Sequence, residues 1–117
     1  MRKLLTEFIG TFFLVLTVGL TVTAGSQFVP IAYGMSLMIM VYMGEHISGG
    51  HYNPAVSLAA TIRGALPAGD FLPYVAVQIG AAAAAAFVVN LITGQTFAPA
   101  PSANAPCSPR SRATLRA

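Results

Sequence analysis

Ile47-Ser48-Gly49-Gly50-His51-Tyr52-Asn53-Pro54-Ala55-Val56-Ser57-Leu58-Ala59-Ala60-Thr61-Ile62-Arg63 runs from a glycine pair into a short apolar stretch. Asn is a favoured helix N-cap. Pro suits the first helical position, where its fixed φ fits and its missing N–H would have had no partner. The pattern predicts a helix over about 53–63 that stops near Gly64, ahead of Pro67. At 1.5 Å per residue that is roughly 15 Å, half the thickness of a hydrocarbon core. An apolar half-helix entered through flexible glycines, with longer apolar runs on both sides, reads as a re-entrant segment. The alternative is an amphipathic helix lying at the membrane surface. Its polar face would offer only Ser57, Thr61 and Arg63, which favours the re-entrant reading.

Outward from this segment lie runs over about 4–24, 28–46 and 70–93, each close to the roughly 20 residues that cross a bilayer. Of the 117 residues, 56% are hydrophobic and 8% charged, against about a quarter charged in soluble domains. No charge falls between Glu7 and Glu45, nor between Asp70 and Arg110. The expected fold is therefore an all-α membrane protein of three transmembrane helices plus one re-entrant half-helix, occupying 1–95. Residues 96–117, rich in Pro, Ser and Arg, read as a disordered tail. The first run could alone be a secretory leader, since Arg2 and Lys3 precede it and Val22-Thr23-Ala24 could be cleaved. Glu7 in its first turns, and two further runs that must cross anyway, favour a span.

Charge and residue inventory exclude several functions. The net charge of +3 is split between the two ends, so no basic face exists for nucleic acid. Cys107 is alone and forms no intrachain disulfide. His46, His51 and the few other polar residues assemble no nucleophile, base and orienter, so no enzyme, cofactor or metal is expected. Arg2, Lys3 and Arg63 put the N-terminus and the loop after the second run in the cytoplasm. Arg110, Arg112 and Arg116 would then lie outside, near or beyond the roughly 15–20 residues over which that bias operates. Gly10, Gly19, Gly34, Gly44, Gly80 and the alanines 81–86 are expected at helix contacts, where small side chains allow close approach in lipid; for the alanines, low-complexity helix filler is the alternative. Met35, Met38, Met40 and Met43 read as lipid-facing or packing residues.

The segment from Gly44 to Ser57, with its Ser-Gly-Gly-His-Tyr before Asn53-Pro54-Ala55, closely resembles the first Asn-Pro-Ala loop of the aquaporin or major intrinsic protein family. Glu7-x-x-x-Thr11 matches that family's first-helix signature. The resemblance covers about 1–95 and implies one of the two inverted repeats of such a channel. It implies a passive conduit for water or small neutral solutes in the cell membrane, completed by another copy or another aquaporin-type repeat. A non-conducting, truncated or assembly-only product is the alternative, favoured by the switch to the 96–117 tail. By resemblance, Asn53, Pro54 and Ala55 form the pore tip, and Gly49, Gly50, His51 and Tyr52 a ladder of carbonyl acceptors. Tyr33 falls at the outer constriction. As alternatives, Asn53 is a plain cap, His51 a satisfied buried histidine and Tyr33 a packing residue. Glu7 is expected to bond backbone amides of the 49–53 loop, with Thr11 one turn along, unless its carboxylate snorkels to the nearby membrane edge. Glu45 stands where the family pattern has a small residue.

Overall fold

Apolar runs make long helices here despite interior glycines and Pro73, and glycine or proline stands at most of their ends. The computed structural model describes residues 1–95; the tail expected at 96–117 lies outside them. Helix α1 (Arg2–Thr23) is followed by Gly25, whose φ of +65° turns the chain. Helix α2 (Val29–Ser48) opens with Pro30 in its first turn and closes on Gly49, which takes the left-handed C-cap conformation at φ +94°. Helix α3 (Pro54–Ile62) is the short one, at 9 residues and roughly 14 Å. Helix α4 (Ala68–Thr93) follows Pro67 and carries Pro73 near its start, where few backbone bonds are lost.

The chain is thus all-helical, with four helices among the described residues. By length and composition α1 and α4 can cross a membrane. Helix α2 has 20 residues, enough in length, but Tyr33, Ser36, Tyr42, Glu45, His46 and Ser48 dilute its apolar character.

Helix α1 is central: α2 and α4 both pack on it, while α3 packs on α4. Its inward face, Glu7, Gly10, Thr11 and Leu14, follows the three-and-four spacing of one helical stripe. Helix α4 answers with Tyr74, Gln78, Ala81, Ala85 and Val89. The buried set is unusually polar, with Glu7, Thr11, Ser36, Ser48, Ser57 and Gln78 inside. Outside stand Phe13, Ile31, Met35, Met38, Phe87 and Leu91. A greasy exterior around a polar seam suits hydrocarbon as solvent, where small residues and hydrogen bonds hold helices together.

The small residues divide by face. Gly10, Gly19 and Gly44 are buried, and so are Ala81 and Ala85 of the alanine run. Gly34 and Gly80 correct the expectation that they sit at helix contacts. A Cβ on either would meet nothing within 4 Å, because each points away from the stripe that its helix turns to α1.

Candidate functional site

The segment joining α2 to α3 is sharply bent. Gly49, Gly50 and Tyr52 all have positive φ, of 94°, 64° and 51°. Left-handed backbone is free for glycine but costs a tyrosine about 1 to 3 kcal/mol, so the surroundings must hold Tyr52 there. They do so from both ends. The Tyr52 ring, 2% exposed, lies across the bare backbones of Gly10 on α1 and Gly44 on α2. Its hydroxyl donates to the Met40 carbonyl at 2.7 Å. Its amide donates to Glu7 Oε2 at 2.6 Å.

Glu7 is the hub. It is fully buried, and four donors reach its two oxygens. Oε1 accepts from Ser48 Oγ at 2.7 Å and from the His51 amide at 3.0 Å. Oε2 accepts from the Tyr52 amide and from Gln78 Nε2 at 3.0 Å. A carboxylate offers about four lone-pair sites and only accepts, so this set fills it. A carboxylate this deep would otherwise be very costly, and here hydrogen bonds alone satisfy it. Thr11, one turn along, contributes no hydrogen bond: its Oγ1 is buried without a partner among the described residues.

Around the hub, Ser48 Oγ also accepts from the Gly50 amide at 3.2 Å, and the Ser48 carbonyl accepts from Tyr74 Oη at 2.8 Å. Gln78 Nε2 donates a second time, to Ser57 Oγ at 2.9 Å, and Ser57 Oγ lies 3.2 Å from His51 Nδ1. The His51 ring leans on Tyr74, with centroids 5.4 Å apart. Ser48, Ser57, Tyr74 and Gln78 are the members that sequence reasoning missed. Their signal was available, since a lone polar side chain in an apolar helix usually has a partner to find.

At the other end of the segment, Asn53 is extended and its Oδ1 accepts from the Ala55 amide at 2.8 Å, starting α3. That leaves its Nδ2 as a donor with no partner among the described residues, beside the helix N-terminus, which carries roughly half a positive charge. Asn53, Pro54 and Ala55 are all exposed.

Two cavities flank this segment. One, of about 610 Å³, is bordered by Gly49, His51 and Tyr74 and by the charged Lys3, Glu45 and Arg63. The other, of about 280 Å³, is bordered by Asn53, Pro54, Thr11 and Gln78, with Tyr33, 41% exposed, at its edge. So Tyr33 shares a cavity with the Asn53 tip, and His51 borders the other one. No group of His, Cys, Asp and Glu able to hold a metal occurs among the described residues.

Comparison with known proteins places this geometry. A family model described as Major intrinsic protein matches residues 1–113. Aquaporin Z of Brucella melitensis is 43% identical over 105 residues, covering 81% of this chain and 46% of that protein. Aquaporin NIP1-4 of Oryza sativa subsp. japonica is 36% identical over 108 residues, covering 86% and 40%. Glycerol uptake facilitator protein-like 6 of Lactiplantibacillus plantarum is 38% identical over 97 residues, covering 80% and 45%. The chain spans less than half the length of each of these relatives.

Proposed function

The chain belongs to the major intrinsic protein family, whose members are channels and not enzymes, and on that premise we propose that it forms half of a passive transmembrane channel for water and small uncharged solutes. In this reading α1, α2 and α4 cross the cell membrane with the N-terminus in the cytoplasm, and 1–95 is one repeat. The 49–52 segment enters from the cytoplasmic side, and α3 starts at mid-depth with Asn53 at the tip and returns to that side. A second repeat, from another copy of this chain or another aquaporin-type chain, closes the open side; nucleic acid and cofactors have no part.

Nothing covalent happens in such a channel. The positive end of α3 repels cations, including a migrating proton charge. Asn53 Nδ2 donates to a passing water oxygen and turns the water's lone pairs toward the protein, interrupting a proton wire. Carbonyls of Gly49, Gly50, His51 and Tyr52 offer acceptors along the inner half, and Tyr33 narrows the outer half. Pro54 and Ala55 keep the tip slim. Glu7 holds the loop in place, with Thr11 beside it.

One observation supports the reading: a short helix whose N-terminus is fixed through Tyr52 and Glu7, with one cavity at its Asn53-Pro54 tip and another bordered by Val56, Ala59 and Arg63 of its length and end. The test is stopped-flow shrinkage of proteoliposomes holding the full chain under an osmotic step. Shrinkage several-fold faster than protein-free vesicles is expected. Rates equal to bare lipid, with protein inserted, would reject the channel half in favour of a non-conducting assembly subunit.

A further inference from the structure

The hydrogen bonds between Glu7 and His51 have a direction that can be assigned link by link. We infer that this chain of bonds locks His51 in the Nε2–H tautomer, so that a permanent N–H donor faces the 610 Å³ cavity. The tautomer follows from the side chains alone; its use in selecting solute rests on the channel reading above.

The first link is Glu7, which can only accept. The Gln78 amide group 3.0 Å from its Oε2 is therefore the nitrogen, since the oxygen there would oppose a carboxylate. That same Nε2 is 2.9 Å from Ser57 Oγ and spends its second hydrogen on it, so Ser57 accepts from Gln78. Ser57 is 0% exposed, and its own proton has one acceptor in reach among the described residues, His51 Nδ1 at 3.2 Å. Nδ1 is then bare and the ring proton sits on Nε2. The opposite tautomer would strand the Ser57 proton in a sealed site, or turn the Gln78 oxygen onto Glu7. The first adds an unpaired hydroxyl to Gln78 Oε1, already buried without a partner among the described residues, and the second sets two acceptors against each other.

His51 Nε2 has no hydrogen-bond partner among the described residues, and it is not among the buried atoms left without one. It reaches the cavity that the ring borders. A fixed donor there accommodates oxygen with a free lone pair, as in water, an alcohol or a carbonyl. A donor-only species such as ammonium finds no bond at this nitrogen. Ser57 is the positioning residue and Gln78 relays the polarity set by Glu7.

The experiment is nitrogen-15 NMR of the full chain, labelled at histidine and reconstituted in phosphatidylcholine vesicles. The His46→Gln variant assigns the two histidines. The expected spectrum for His51 has a bare, hydrogen-bonded Nδ1 and a protonated Nε2, with the Nδ1–H form undetected. Ser57→Ala is expected to erase the hydrogen-bond shift at Nδ1 and raise the Nδ1–H form to about a tenth or more, about a 1.4 kcal/mol gap between the forms or less. Ser57→Thr, which keeps the hydroxyl, is expected to restore the original spectrum. A predominant Nδ1–H signal in the unaltered chain overturns the inference, and so does a Ser57→Ala spectrum identical to it. Neither result depends on whether the vesicles conduct water.

Discussion

Replacing Gly10 by Ala puts a methyl group into the Tyr52 ring. A Cβ there would stand 2.7 Å from Cζ and closer still to Cε1, whereas carbon atoms in contact prefer about 3.5 to 4.0 Å. The ring must retreat by roughly 1 Å, and it has nowhere to go. Gly44 closes the far side, the hydroxyl is bound to Met40 and the amide to Glu7. Overpacking of this kind costs about 1 to 3 kcal/mol. Losing the Met40 bond adds about 1, and the better helix propensity of Ala returns up to about 1. A net loss of about 1 to 4 kcal/mol is expected. Tyr52→Ala alone empties a large buried site and should cost about 3 to 5 kcal/mol. In the double variant the new methyl enters space already vacated, so it should be no less stable than Tyr52→Ala. The coupling is then about 1 to 4 kcal/mol, well above the scatter of independent sites. Unfolding in mixed dodecyl maltoside and SDS micelles, followed by the near-ultraviolet dichroism of the tyrosines, measures each corner of the cycle. Additive effects within about 0.5 kcal/mol would refute the claim that Tyr52 is wedged against α1.

Other substitutions address the network and the cap. Glu7→Gln places a donor among four donors, so the His51 and Tyr52 amides should exchange with deuterium about 30-fold faster, corresponding to about 2 kcal/mol; unchanged protection would show that Glu7 does not hold the loop. Tyr74→Phe removes only the bond to the Ser48 carbonyl and should lower stability in the same micelle titration by about 1 kcal/mol; a stabilised variant contradicts this. Asn53→Ala should cost about 1 kcal/mol through the lost cap while Asn53→Asp should not. In the proteoliposome assay both should slow water flux relative to the unaltered chain, since each removes the free Nδ2 donor.

Much of this architecture could be read from residue order, for identifiable reasons. The helix starting at Asn53-Pro54 depends on two adjacent residues whose preferences are local, and it begins where they stand. The contact between Glu7 and the loop followed from a need: a carboxylate deep in an apolar helix must find donors, and the loop had the free amides. What could not be read was who else would answer. Gln78 is 71 positions from Glu7 and Ser57 is 21 from Gln78, so those bonds depend on how α1, α3 and α4 cross. Thr11 shows the converse, a residue on the right face whose hydroxyl reaches no partner. The glycines behaved alike: Gly10 and Gly34 look equivalent in sequence, and only packing separates the one that Tyr52 needs from the one facing open space.

Glu7 is synthesised long before the groups that satisfy it. At about 5 to 20 residues per second, the ribosome reaches Gln78 roughly 4 to 14 s after Glu7, given the separation of 71 residues. Three of its donors, Ser48 and the His51 and Tyr52 amides, follow 41 to 45 positions after it, and Gln78 comes last. The full set of four donors therefore exists only once α4 has been made, so the last helix to leave the ribosome completes the seat of an acid in the first.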